Sequence, residues 1–125
     1  NYETDDVPAY AQALTNTINP IVTVWTCQNG SFYEPGRECL ASALIKRSVN
    51  GAVSTIAPSS LSVQGAAEQL AYGTYQALVD TNNYHRLGDA LGRGFLRLYN
   101  LAPNQPELSF YTIFGDPALA THPNP

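Results

Sequence analysis

Two short runs of small, β-branched and aromatic residues, Ile21-Val22-Thr23-Val24-Trp25-Thr26 and Ala52-Val53-Ser54-Thr55-Ile56-Ala57, flank a segment with helical spacing. No other feature constrains the chain as much. Each run reads as a strand, the first buried on both faces, and strands separated by a crossover helix are the signature of a parallel α/β sheet. The helix between them is predicted over 37–48 from Leu40, Ala43, Leu44 and Arg47, entered through Pro35-Gly36 and stopped by Asn50-Gly51. Its apolar side should face the sheet and leave Lys46 in water. A short helix is predicted over 4–15, with Asp5 and Asp6 in its first turn and Tyr10, Ala13 and Leu14 on one face.

Downstream, Ala66, Leu70, Gly73 and Ala77 predict a helix over 62–80 with a small-residue packing face. Leu87, Leu91, Phe95 and Leu98 predict another over 87–101. Gly88, Gly92 and Gly94 weaken that second helix unless they permit close approach to the sheet. Residues 108–114 alternate enough for a last strand, closed by Gly115-Asp116-Pro117. The end, 121–125, reads as an exposed tail.

A chain of 125 residues and 13.5 kDa holds one hydrophobic unit. It contains no apolar run near the roughly eighteen residues of a membrane span. Charged residues are 13%, about half the usual share, and Asn, Thr, Ser and Gln fill the gap, which suits a secreted or extracellular protein. Methionine is absent, so Asn1 is not an initiator and the chain is expected to be a processed product or a fragment. Net charge is −4, and the five arginines do not cluster with aromatics, which argues against nucleic acid.

Chemistry centres on the cysteines. Cys27 is expected buried to half-exposed at the C-terminal end of the first strand, just before Gln28-Asn29-Gly30-Ser31, the place where open α/β sheets put reacting groups. A thiol there is either an inert packing residue or a nucleophile needing a histidine base and oxyanion donors. Cys39 is expected to pack on the sheet, with a Cys27–Cys39 disulfide as the competing outcome in a secreted chain. Asn29-Gly30-Ser31 is also a glycan acceptor sequence at Asn29, and a glycan there would obstruct a neighbouring nucleophile. Two cysteines with His85 and His122 are too few for a four-cysteine zinc site, so neither metal nor cofactor is expected.

Four collinear segments resemble the gingipain-type cysteine endopeptidases of the caspase-like clan. "IVTVWTCQNGSF" at 21–32 is similar to that family's strand, nucleophilic cysteine and Asn-Gly-x-Phe loop, and "ECLASALIKR" at 38–47 to its next helix. "NGAVSTIAPSS" at 50–60 resembles the strand beyond, and "YTIFGDPALA" at 111–120 the closing Phe-Gly-Asp-Pro-x-Leu segment. The resemblance implies a caspase-like three-layer α/β sandwich with a mostly parallel sheet, residues 1–120 being only its C-terminal part. It also implies Cys27 as nucleophile, the Cys27 backbone N–H at the oxyanion hole, and Gln28, Asn29 and Gly30 beside the site. The family's catalytic histidine lies in a His-Gly element upstream of the cysteine, at a place that falls before Asn1, and neither His85 nor His122 matches it. Ser31 stands where the family often carries an acidic residue. The implied partners are the N-terminal part of the domain and a peptide substrate. The rival reading is a catalytically silent structural subunit that joins copies of itself through open sheet edges into a fibre or layer.

Overall fold

The computed structural model describes residues 7–47 and 49–122, and contacts divide them into two compact units. The first comprises the described residues up to Leu61 together with Phe110–Gly115. Its strands are β1 (Ile21–Thr23), β2 (Ser54–Pro58) and β3 (Tyr111–Phe114), in the order β1-β2-β3. β1 runs parallel to β2, with Ile21 opposite Ser54 and Thr23 opposite Ile56. β3 runs antiparallel to β2, so the three-stranded sheet is mixed.

All five residues of β2 are buried. β1 is half-buried instead of covered on both faces, because it has a single neighbouring strand among the described residues. It is also shorter than expected. Val24 adds one more ladder bond, its N–H donating to the Ile56 carbonyl at 2.8 Å, and the chain then turns away.

Helix α1 (Val7–Gln12) places Ala11 against Ala43 of α2 (Leu40–Ile45), with Leu40 beside them. The apolar face expected for α1 is corrected: Ala13 and Leu14 are exposed. Within α2, Ala41, Ala43 and Leu44 are buried and Leu40 half-buried. Cys39, the residue that caps α2, sits with Ala41 and Ala57 of β2 in one apolar cluster, onto which Val24 and Phe114 pack. The predicted sheet-facing side is therefore corrected: Cys39 and Ala41 meet β2, whereas Leu40 and Ala43 of the predicted face pack against Ala11 of α1. Lys46 is exposed, as expected, and its ammonium pairs with Glu38 at 2.6 Å; that hydrogen bond, then the attraction of the carboxylate, raises the Lys46 pKa.

The second unit comprises Ser62–Ser109 and the residues from Asp116 onward. Its core is the pair α3 (Gln64–Val79) and α4 (Leu87–Leu101). Ala66, Leu70, Gly73 and Ala77 are all buried, as are Leu87, Leu91 and Leu98. The close approach at Gly94 is to α3 and not to the sheet. A Cβ there would strike Thr74 Oγ1 and stand 2.5 Å from the Leu70 carbonyl, and a Cβ at Gly73 would stand 2.9 Å from Gly94 Cα. Glycine at both positions is the geometric condition for the crossing.

Residues 107–110 form a short helix, α5 (Glu107–Phe110), in place of the first half of the expected last strand. Pro106 opens that turn, and the Pro106 carbonyl accepts from both N–H and Oγ of Ser109, at 3.0 and 2.7 Å. Glu107 is wholly buried, and its Oε1 accepts the Val63 N–H at 2.6 Å at the start of α3. Of the residues expected to form the tail, Thr121 and His122 are half-buried, and Thr121 N–H donates to the His85 carbonyl. The rest of it, 123–125, and the start of the helix expected over 4–15 lie outside the described residues.

Leu44 is 8% exposed, so Leu44→Ala is expected to destabilise the fold by about 2–5 kcal/mol in urea unfolding. A loss below about 0.5 kcal/mol, the range of surface sites, would show that this face carries no core.

Candidate active site

The chain leaves β1 at Thr23, and Cys27 stands in the turn at 26–30, beyond the strand's C-terminal end. It is exposed, more so than expected, because the turn carries it off the ladder. Cys39 is buried, and the two sulfurs are thiols, not a disulfide.

The backbone around Cys27 is held at several points. Gln28 takes a left-handed conformation, φ 61°, uncommon for a residue with a long side chain. Its N–H donates to the Ser60 carbonyl at 3.1 Å, and the Gly30 N–H donates to the Pro58 carbonyl at 2.9 Å. The Asn29 amide nitrogen donates to the carbonyls of Thr26 and Cys27 and to Thr26 Oγ1, at 3.1, 3.0 and 2.8 Å. Ser31 is buried, its hydroxyl donating to the Gln28 and Ser59 carbonyls at 2.9 and 3.3 Å. The Asn29 carbonyl accepts the Ala41 N–H at 3.0 Å, satisfying one donor in the first turn of α2. Cys27 thus presents its side chain from a peptide whose two flanking groups, the Cys27 carbonyl and the Gln28 N–H, are both bonded to protein.

Gly30 is required for space and not for a left-handed φ. A Cβ there would lie 3.0 Å from Phe114 Cε2 and 3.1 Å from the Ala57 and Pro58 carbonyls. Phe32 packs edge-on against Phe114, ring centroids 5.9 Å apart, so the loop after the cysteine touches the last strand. Gly115, φ 124°, lies against Ser54, whose hydroxyl donates to the Phe114 carbonyl at 3.0 Å. Trp25 and Tyr111 also meet, centroids 5.4 Å apart, and the Tyr111 hydroxyl donates to the Trp25 carbonyl.

Of these supporting residues, Ser31 was already placed in the loop by the sequence, whereas Ser59, Ser60 and Phe114 were given no part in the site. The Pro58-Ser59-Ser60 turn that marks the end of β2 is the one signal that could have pointed to them.

Gln28, Ser31, Glu34, Arg37, Glu38 and Cys39 line a cleft of about 70 Å³, room for a few waters and no more. Its charges are matched locally, Glu34 with Arg37 at 3.4 Å and Glu38 with Lys46. His85 and His122 belong to the second unit. Among the described residues no group of three or more His, Cys, Asp or Glu could hold a metal ion.

A strand-end cysteine on a loop pinned to the neighbouring strand agrees with the family that the four segments suggest, and a family model decides the matter. The model for "Peptidase family C25" matches residues 3–122. The chain belongs to this family. Two solved structures share its fold. One is described as the "Arg specific cysteine proteinase gingipain R (RGPB)", with TM-score 0.82 and 24% identity over 90% of this chain and 28% of that one. The other is a complex of the Porphyromonas gingivalis RgpB pro- and mature domains, with TM-score 0.80 and 22% identity over 90% and 29%. The chain therefore spans under a third of the length of these gingipain structures. No curated protein matches it. No helix among the described residues is long and apolar enough to cross a membrane.

Gly30→Ala is expected to cost about 1–3 kcal/mol through overpacking against Phe114 and the β2 carbonyls, measured by chemical denaturation. A neutral result would show that the loop relaxes freely and is not held by β2.

Proposed function

We propose that this C25-family chain is the cysteine-bearing part of a secreted, gingipain-like cysteine endopeptidase in which Cys27 is the nucleophile. Residues 1–120 form the C-terminal part of the caspase-like domain, and the histidine base comes from the part of the domain outside residues 1–125. The observation that carries this reading is the placement of Cys27, exposed at the end of β1 on a loop tied to β2.

In the reaction the histidine takes the Cys27 proton and the thiolate adds to the peptide carbonyl. The oxyanion is held by the Cys27 N–H and a donor from the missing part. Collapse breaks the C–N bond, the amine leaves with the proton from the histidine, and water then hydrolyses the thioester. Neither metal nor cofactor enters these steps. The three hydrogen bonds made by the Asn29 amide support a role for Asn29 in fixing the loop over one as a glycan acceptor.

A second reading, a silent subunit assembling extracellularly through sheet edges, draws on one observation: β1 pairs with a single strand among the described residues.

A thiol-directed peptidyl inhibitor is expected to label the intact protein saturably. Cys27→Ala abolishes labelling and Cys39→Ala, at a buried thiol, retains it. Residues 1–125 alone are expected to label slowly and to leave peptides uncut, because a thiol without a base is mostly protonated at neutral pH. Absence of labelling in the intact, folded protein would reject the enzyme and favour the silent subunit. Rapid labelling of residues 1–125 alone would mean that the base lies within them.

A further inference from the structure

Beside the crossing of α3 and α4 the helices leave a groove of about 210 Å³ lined by Gly73, Gln76, Arg93, Arg97, Asn100 and Leu101. Gly73 is one of the lining residues. A Cβ there would lie 3.0 Å from Arg97 Cβ and 3.1 Å from the Arg93 carbonyl, so any larger residue would begin to close it. The polar residues of its lining are two arginines, a glutamine and an asparagine, with no acidic residue.

Arg97 is held in position: Nε donates to Gln69 Oε1 at 3.0 Å, and the guanidinium lies over the Tyr72 ring, 4.3 Å from its centroid. Arg93, one turn earlier, is exposed. Among the described residues it has no hydrogen-bond or ion-pair partner, although Asp89 stands a further turn back on α4. Like charges one helical turn apart repel each other, and a shared anion removes that repulsion.

We propose that this groove is a binding site for a phosphate group. A planar carboxylate offers one edge to a guanidinium fork, whereas a phosphate offers several oxygens that two forks and the Gln76 and Asn100 amides can share. The site is independent of Cys27 chemistry.

The test titrates inorganic phosphate, glycerol phosphate and acetate into the intact protein at low ionic strength, following the Nε–H resonances of Arg93 and Arg97. Saturable shifts with the two phosphates, and much weaker ones with acetate, are expected. Tighter binding of the ester identifies a phosphate carried on a larger molecule, and tighter binding of the inorganic ion identifies free phosphate. Arg93→Gln, at an exposed position that does not endanger the fold, is expected to weaken phosphate binding about tenfold or more. Absence of saturation, equal affinity for acetate, or unchanged affinity in Arg93→Gln would overturn the proposal.

Discussion

The cysteine loop is held by the strand beside it. β2 contributes no reacting group, yet it bonds to β1 on one side and β3 on the other, and the Pro58 carbonyl at its end and the Ser59 and Ser60 carbonyls just beyond receive Gly30 N–H, Ser31 Oγ and Gln28 N–H. Backbone polar groups in a partly buried turn need such partners, because leaving them unpaired costs about as much as a lost hydrogen bond. The left-handed Gln28 persists in this setting because the bonds on either side of it determine its conformation. Complete burial of β2 therefore has a consequence beyond stability: it fixes the loop that carries Cys27.

What was legible in the sequence follows from how local each signal is. The span of α4 could be read to the residue, since Leu87, Leu91, Phe95 and Leu98 repeat at helical spacing over four turns. The segment 108–114 misled because alternation over seven residues is weak, and the turn opened by Pro106 and closed by Ser109 claims the first half of it. Of the glycines of α4, Gly88 and Gly94 mark close approaches and Gly92 meets nothing within 4 Å, and nothing local says which of them has a neighbour or what it is. At the candidate site, Gln28-Asn29-Gly30-Ser31 reads as a turn, and nothing local says which residue takes a left-handed φ. In the structure Gln28 takes that conformation and Gly30 supplies space, a distinction that depends on Phe114, far away in sequence.

The same distance explains why the resemblance was needed. The Asn-Gly-x-Phe loop and the Phe-Gly-Asp-Pro segment are each short and carry little information alone. The structure joins them through Phe32 and Phe114, and Gly115 then allows the chain to pass against Ser54. Spacing within one strand or helix cannot reveal a contact of that kind. The two cysteines illustrate the same point, since a count and a separation leave nucleophile, packing residue and disulfide open. Packing separates their settings: Cys39 is a buried thiol against Ala41 and Ala57, and Cys27 is an exposed thiol past the last ladder bond.

β1 links the two readings of function. It is the strand that leads into the turn bearing Cys27, and among the described residues it pairs on one side only. Backbone groups on the other edge satisfy themselves with water or with another strand, and an exposed edge is a template for pairing. A strand from the rest of a peptidase domain would hold β1 in register and, with it, the position of Cys27; a strand from another copy would do so equally well. The physical requirement is the same in both cases, and the chemistry diverges only on whether the incoming segment brings a base within hydrogen-bond reach of the thiol.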